Sequence, residues 1–241
     1  MIENILNDLK KLSAKGPIKS VSTGSNAIGK TLQSELKINH STTIKNNYKG
    51  FTITSTSSQG NRTNLFAKVP NWKKSEVKSS KNLLDLYGIK DPSGKYEKKL
   101  FCSVNSLEPN NFGLVLEVDK FSRQLHEKFS SKEKKKLIAI WDTDEINKKL
   151  LCLDKNIIIT ANLFKRDDGN YFHFRFAEFM MSPSIEKFFD LIDYGAITMD
   201  HLISVRSGSM NVREQGPLFK ISKASKQDLF SFYKKFDLVD L

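Results

Sequence analysis

Cysteine is scarce in this chain, with only Cys102 and Cys152 among 241 residues. Both sit alone in apolar contexts, so they read as reduced, buried thiols rather than a disulfide framework or a metal knuckle. No apolar run approaches the roughly 18–20 residues of a membrane span, so no transmembrane helix is expected. The opening Met1-Ile2-Glu3-Asn4 has no basic, apolar and small-residue pattern of a secretory signal, so a cytoplasmic location is expected. A basic amphipathic helix with a clean apolar face is also missing, so no membrane partner is expected. The four histidines, His40, His126, His173 and His201, are scattered and have no zinc spacing. Gly24 to Gly29 is too short for a Walker loop and lacks its pattern, and no nucleophile–base pairing appears.

Negative charge is in deficit too. Lys plus Arg number 39 against 27 Asp plus Glu, for a net charge of +12. A surplus of that size favours a polyanionic partner, because Lys and Arg contacts to phosphates release condensed counterions. What is present in quantity is apolar: 39% of residues are hydrophobic and 17 are Phe, enough for a folded core in one domain or two lobes.

Periodicity organises the chain. Ile2, Ile5, Leu6, Leu9 and Leu12 predict a helix ended by Gly16-Pro17, and Ile28 to Leu36 predicts a second. Short strands are expected around Thr42–Lys45, Gly50–Ser55 and Asn64–Val69, as an antiparallel meander. Asn71 to Lys81 reads as a basic connection. Strands follow at Leu100–Val104 and Gly113–Val118, then a charged helix over Phe121–Lys136 and a buried strand at Leu137–Trp141. Ile157–Phe164 and Tyr171–Phe176 form two further strands around the turn Arg166–Asn170. Ser184 caps a helix with the apolar stripe Ile185-Phe188-Phe189-Ile192. Ala196–Val205 and Pro217–Ile221 are strands flanking the polar loop Arg206–Gln215. A last helix is expected from Leu229, Phe230, Phe232, Tyr233 and Phe236. The class is mixed α/β.

One stretch lacks charge where it matters. Tyr48-Lys49-Gly50-Phe51-Thr52-Ile53-Thr54-Ser55 is a strand whose polar face carries only hydroxyls. Its surroundings include Ile28-Gly29-Lys30-Thr31-Leu32 and Asn64-Leu65-Phe66-Ala67-Lys68-Val69-Pro70. Further along come Leu86-Tyr87-Gly88, Lys98-Lys99-Leu100-Phe101 and Asn110-Asn111-Phe112-Gly113-Leu114. Phe172-His173-Phe174, Ile197-Thr198-Met199-Asp200 and Gly216-Pro217-Leu218 complete the series. In this order they resemble the MvaI/BcnI group of Type II restriction endonucleases, relatives of the mismatch-repair nickase MutH. The resemblance implies a central mixed, largely antiparallel sheet flanked by helices. It also implies a monomer with a catalytic lobe over about residues 1–120 and a recognition lobe over about 121–241, gripping double-stranded DNA in a cleft.

Members of that group cut with a helix Glu, an Asp ahead of the strand, and Glu-x-Lys on it. Residues two apart on a strand share a face, so Glu and Lys converge on one phosphate. The carboxylates hold Mg²⁺, which polarises the phosphate and supplies hydroxide, while the Lys offsets developing charge. Carried over by resemblance, these positions fall on Gln33, Asn47, Thr52 and Thr54, all neutral. No metal site is then expected, and Mg²⁺ enters only if the acids have moved. Fallback candidates are Glu35, the pair Glu117 and Asp119 on one strand face, and Asp142 at a strand end.

Other residues suit DNA contact. Lys30, Arg62, Lys68, Lys73, Lys74 and Lys78 are phosphate-binding candidates. Arg206 lies in the loop ahead of Gly216-Pro217, where the resemblance places base-reading residues; Arg213, Glu214 and Gln215 occupy those places. Arg suits guanine, Gln adenine and Glu cytosine. Three functions are therefore open. The first is a sequence-specific DNA binder that has lost efficient cleavage, the second an active Mg²⁺-dependent endonuclease with relocated acids, and the third an RNA- or protein-binding module.

Overall fold

The computed structural model describes residues 1–38, 47–57, 60–214 and 216–239. Through the first half run α1 (Ile2–Ser13), β1 (Ile18–Lys19), α2 (Ala27–Glu35), β2 (Asn47–Tyr48), β3 (Phe51–Ser57), β4 (Arg62–Ala67), α3 (Ser80–Tyr87), β5 (Tyr96–Val104) and β6 (Leu114–Asp119). They are followed by β7 (Gln124–Ser130), β8 (Lys135–Asp142), α4 (Thr143–Leu151), β9 (Asn156–Arg166), β10 (Gly169–Pro183) and α5 (Ile185–Asp193). The chain finishes with β11 (Ile197–Arg206), β12 (Val212–Glu214), β13 (Leu218–Ser222), a 3₁₀ turn at Lys226–Leu229, and β14 (Phe230–Asp237). The expected strand at Thr42–Lys45 lies outside the described residues.

The mixed α/β class is observed, with the strands distributed over three sheets. Two compact units form. One comprises Met1–Gly60, Leu153–Ser182 and Phe230–Leu241, and the other Asn61–Cys152 and Pro183–Leu229. Each gathers segments distant in sequence, so the units do not follow the division near residue 120 that the resemblance implied.

In the first unit the sheet order is β1-β10-β9-β3-β2, and β14 also pairs with β10. β3 and β9 run parallel, with Thr54 opposite Ile158. Ile5, Leu9 and Leu12 recur at helical spacing on α1 and pack into a core with Phe51, Ile53, Ile157, Phe174 and Phe179. Burying each such side chain stabilises the fold by roughly 1.5–3 kcal/mol.

In the second unit β11 is central, between β12 and β13 on one side and β5 on the other, with β4 beyond β13. A separate meander joins β6, β7 and β8. The Ser184 hydroxyl accepts from the Lys187 N–H at 3.2 Å, capping α5 as its sequence predicts. Phe188 of α5 packs on Phe66 and Phe219, each at 5.7 Å between ring centroids.

The expected meander does not form, since β3 pairs with β2 and β9 while β4 pairs with β13, and three segments depart from the sequence reading in secondary structure. The expected helix over Phe121–Lys136 is instead β7 and its turns: Leu125 and Glu127 share a strand face, and both are fully buried. Its helix-forming Lys and Glu were overridden by pairing with β6 and β8. The expected last helix is β14, whose Phe230, Phe232 and Phe236 also fit a period of two once β10 offers an edge. The basic connection runs into an unanticipated helix, α3, begun by Ser79, whose hydroxyl accepts from the Asn82 N–H at 3.1 Å.

Candidate functional site

Strand β3 alternates as its sequence predicts. Phe51 and Ile53 are buried, while Thr52 is partly exposed and Thr54 exposed. Helix α2 packs on this strand through Ala27, Thr31 and Leu32, and Thr31 donates back to the Ala27 carbonyl at 2.8 Å. Between helix and strand lies a depression of about 420 Å³ lined by Asn26, Lys30, Gln33, Thr54 and Ser55, among others. Tertiary structure thus brings Gln33 and Thr54 together, two of the four positions singled out in the sequence.

The other two lie outside that lining. Asn47 sits opposite Thr52 in the β2–β3 pair, and its side-chain oxygen accepts from the Gly50 N–H at 2.9 Å. It is a turn cap here. Thr52 faces Asn156 in the parallel register with β9.

The Mg²⁺ implied by the resemblance does not fit this chemistry. Among the described residues no carboxylate lines the depression, and hard divalent cations need several oxygen ligands of high charge density. Among the described residues, no three His, Cys, Asp or Glu side chains converge on a metal position. Glu35 points elsewhere, accepting from Lys15 Nζ at 2.6 Å. Asp8, the acid beside β2, is held by Lys49 and Tyr48, which keep its carboxyl below the usual range.

The remaining acidic candidates are in the second unit, each committed to local partners. Glu117 accepts from Lys128 at 2.5 Å. Asp119 closes the β6–β7 turn by accepting from the Ser122 hydroxyl and from the N–H groups of Phe121 and Ser122. Asp142 accepts from Lys74 at 2.6 Å, Asn71 at 2.8 Å and Gln124 at 2.9 Å. These donors lower its pKa, Lys74 most.

The DNA-contact candidates divide by what already holds them. Lys30 is exposed at the α2–β3 depression. Arg62 donates to Thr198 at 2.8 Å and reaches Asp200. Lys68 is engaged by Glu145 at 2.7 Å, and Lys74 by Asp142. Lys78 donates to the carbonyl of Ser75 at 2.5 Å and to that of Lys73 at 3.3 Å. Lys73, Arg206 and Arg213 are exposed. Glu214 alternates with Arg213 on β12 and turns inward to the Ser80 hydroxyl, with its other oxygen buried and unpartnered. Gln215 lies outside the described residues.

Sequence reasoning missed a buried charged pair. His201 on β11 and Glu127 on β7 meet at 2.7 Å with side chains 1% and 0% exposed. Burial opposes the imidazolium, but Glu127, Glu214 and Asp200 together outweigh it and raise the His201 pKa. The signal was present in the alternation of Leu125 and Glu127, hidden by the helical reading. His173 is satisfied, its Nε2 3.1 Å from the Ser13 carbonyl. The thiols also differ from expectation: Cys102 is only partly buried, and Cys152 is exposed with its Sγ donating to the Lys148 carbonyl at 3.4 Å. Burial still pushes the Cys102 thiol up to about 12.

No curated protein matches the sequence. Among solved structures, that of the restriction endonuclease MvaI with its cognate DNA superposes with a TM-score of 0.74 at 16% identity, over 98% of both chains. MvaI in the absence of DNA gives a TM-score of 0.56 at 16% identity, over 97% of this chain and 96% of that one. The model of the MvaI/BcnI restriction endonuclease family matches residues 6–230. The chain belongs to that family.

Proposed function

We propose that this protein binds double-stranded DNA at a preferred sequence, as a monomer, and cleaves it poorly or not at all. The observation that carries the reading is the depression between α2 and β3. There the resemblance places the family's helix Glu and strand Lys, and this chain presents Gln33 and Thr54. DNA binding is supported by membership of a restriction endonuclease family, by a fold shared with an enzyme solved on its cognate DNA, and by the +12 charge.

Magnitudes favour loss of the chemistry. Metal-based charge stabilisation supplies several kcal/mol, and each 1.36 kcal/mol is tenfold in rate. Amides and hydroxyls neither hold Mg²⁺ nor bring the pKa of an attacking water down from 15.7. Cleavage without those ligands falls by many orders of magnitude.

The test is incubation of the purified protein with a random-sequence duplex library in low salt plus Mg²⁺, followed by sequencing of bound molecules and mapping of ends. Enriched, intact duplexes sharing a motif are expected. Cut ends at a fixed site would instead identify an active enzyme with relocated acids. Preference for RNA or single strands would reject duplex recognition.

A further inference from the structure

The same depression carries an inference that rests on the DNA-binding reading and extends it. Among its described lining residues Lys30 is the one charged side chain, and Gln33, Thr54 and Ser55 add an amide and two hydroxyls. Ser55 Oγ is buried without a hydrogen-bond partner, although neighbouring hydroxyls such as Thr31 are satisfied. An orphaned buried hydroxyl costs free energy unless a ligand or water satisfies it.

The charge balance of the site is also altered. A cluster of carboxylates repels a phosphodiester until a divalent cation neutralises it. Among the described lining residues there is no such cluster, and their formal charge is that of Lys30. We infer that this depression seats a DNA backbone phosphate directly, through Lys30 and neutral donors, so that duplex binding is independent of divalent metal. Lys30 supplies the ionic contact, Gln33 offers N–H donors and Ser55 its unused O–H, while the Thr54 hydroxyl donates to the Ile157 carbonyl at 3.5 Å beside them. The substitutions that remove the chemistry thereby also remove the need for a cation in binding.

Affinity for a duplex selected from the library is measured by fluorescence anisotropy in EDTA and in Ca²⁺, for wild type and three variants. Wild-type Kd values in the two buffers are expected to agree within about twofold. Lys30→Gln weakens binding about tenfold in both, as expected for one lost phosphate contact. Thr54→Glu places a carboxylate against the phosphate and weakens binding in EDTA by about tenfold. Thr54→Gln, of matched size but neutral, weakens binding far less than Thr54→Glu, so the added charge and not the added bulk accounts for the loss. Thr54 is exposed, so these changes are compatible with folding, and circular dichroism verifies it. Binding that requires Ca²⁺ would overturn the inference while leaving duplex recognition intact, as would a Thr54→Glu protein of unchanged affinity. Absence of duplex binding in both buffers would overturn the inference together with the DNA-binding reading.

Discussion

His201 Nε2 lies 2.7 Å from Glu127 Oε1, joining β11 of one sheet to β7 of another inside the second unit. Breaking such a pair from one side leaves an uncompensated buried charge, which costs about 3–5 kcal/mol. Glu127→Ala should therefore lower the unfolding free energy by about that amount. Urea titration followed by the fluorescence of buried Trp141 measures it. A Glu127→Leu/His201→Leu protein should lose much less than the sum of its single changes, since no charge is stranded.

The same pair sets a pH dependence. The folded-state pKa of His201 is raised above 6.5, so its contribution is complete below the unfolded value and disappears as pH rises through the folded one. Urea midpoints should fall across that upper range in the wild type. In His201→Gln that part of the slope should vanish. A slope retained in the variant would assign it to another group.

Asp200, the next residue on β11, works in the opposite sense from the opposite face. Burial raises its pKa, but Lys220 at 2.5 Å, Ser103 at 2.6 Å and the Arg62 charge outweigh that and lower it. Its stabilisation is present above the unfolded carboxylate pKa and is lost as pH falls through the folded value. Asp200→Asn should flatten the acid limb of the stability profile and cost about 1–3 kcal/mol at neutral pH. Circular dichroism across an acid titration distinguishes the two proteins.

Restoring charge tests the reading of the α2–β3 site. The variant Gln33→Glu/Asn47→Asp/Thr52→Glu/Thr54→Lys rebuilds the ligand set and lysine implied by the family resemblance. Mg²⁺-dependent cleavage of the selected duplex should rise well above the wild-type level, read as new ends at one position. Equal activity in the two proteins would place any chemistry elsewhere.

Salt dependence separates phosphate contacts from internal ion pairs. Each lost contact lowers the slope of log K against log salt by about 0.9. Lys73→Gln, Arg206→Gln and Arg213→Gln remove exposed cations and should each reduce the slope by about that much. Lys68→Gln should leave it nearly unchanged, because Glu145 already engages that amine.

Local pattern made much of this fold legible. The α1 stripe, the Ser184 cap of α5, the β9–β10 turn and the alternation of β3 all follow from spacing within a few residues. So does the chemistry missing from the candidate site, because residues 33, 47, 52 and 54 are neutral in any conformation and no fold supplies a carboxylate they lack.

Tertiary structure decided the rest, through pairings between segments far apart in sequence. Phe230, Phe232 and Phe236 suit a helix or a strand, and β10 made the choice by offering backbone partners. Lys- and Glu-rich β7 became a strand because β6 and β8 flank it, and that pairing carried Glu127 into the interior to meet His201. Gln33 and Thr54 share one depression because α2 packs against β3, and Glu214 turned inward once β12 paired with β11. Side-chain identity is a local property. Which identities meet depends on long-range packing, since only packing removes water from between them.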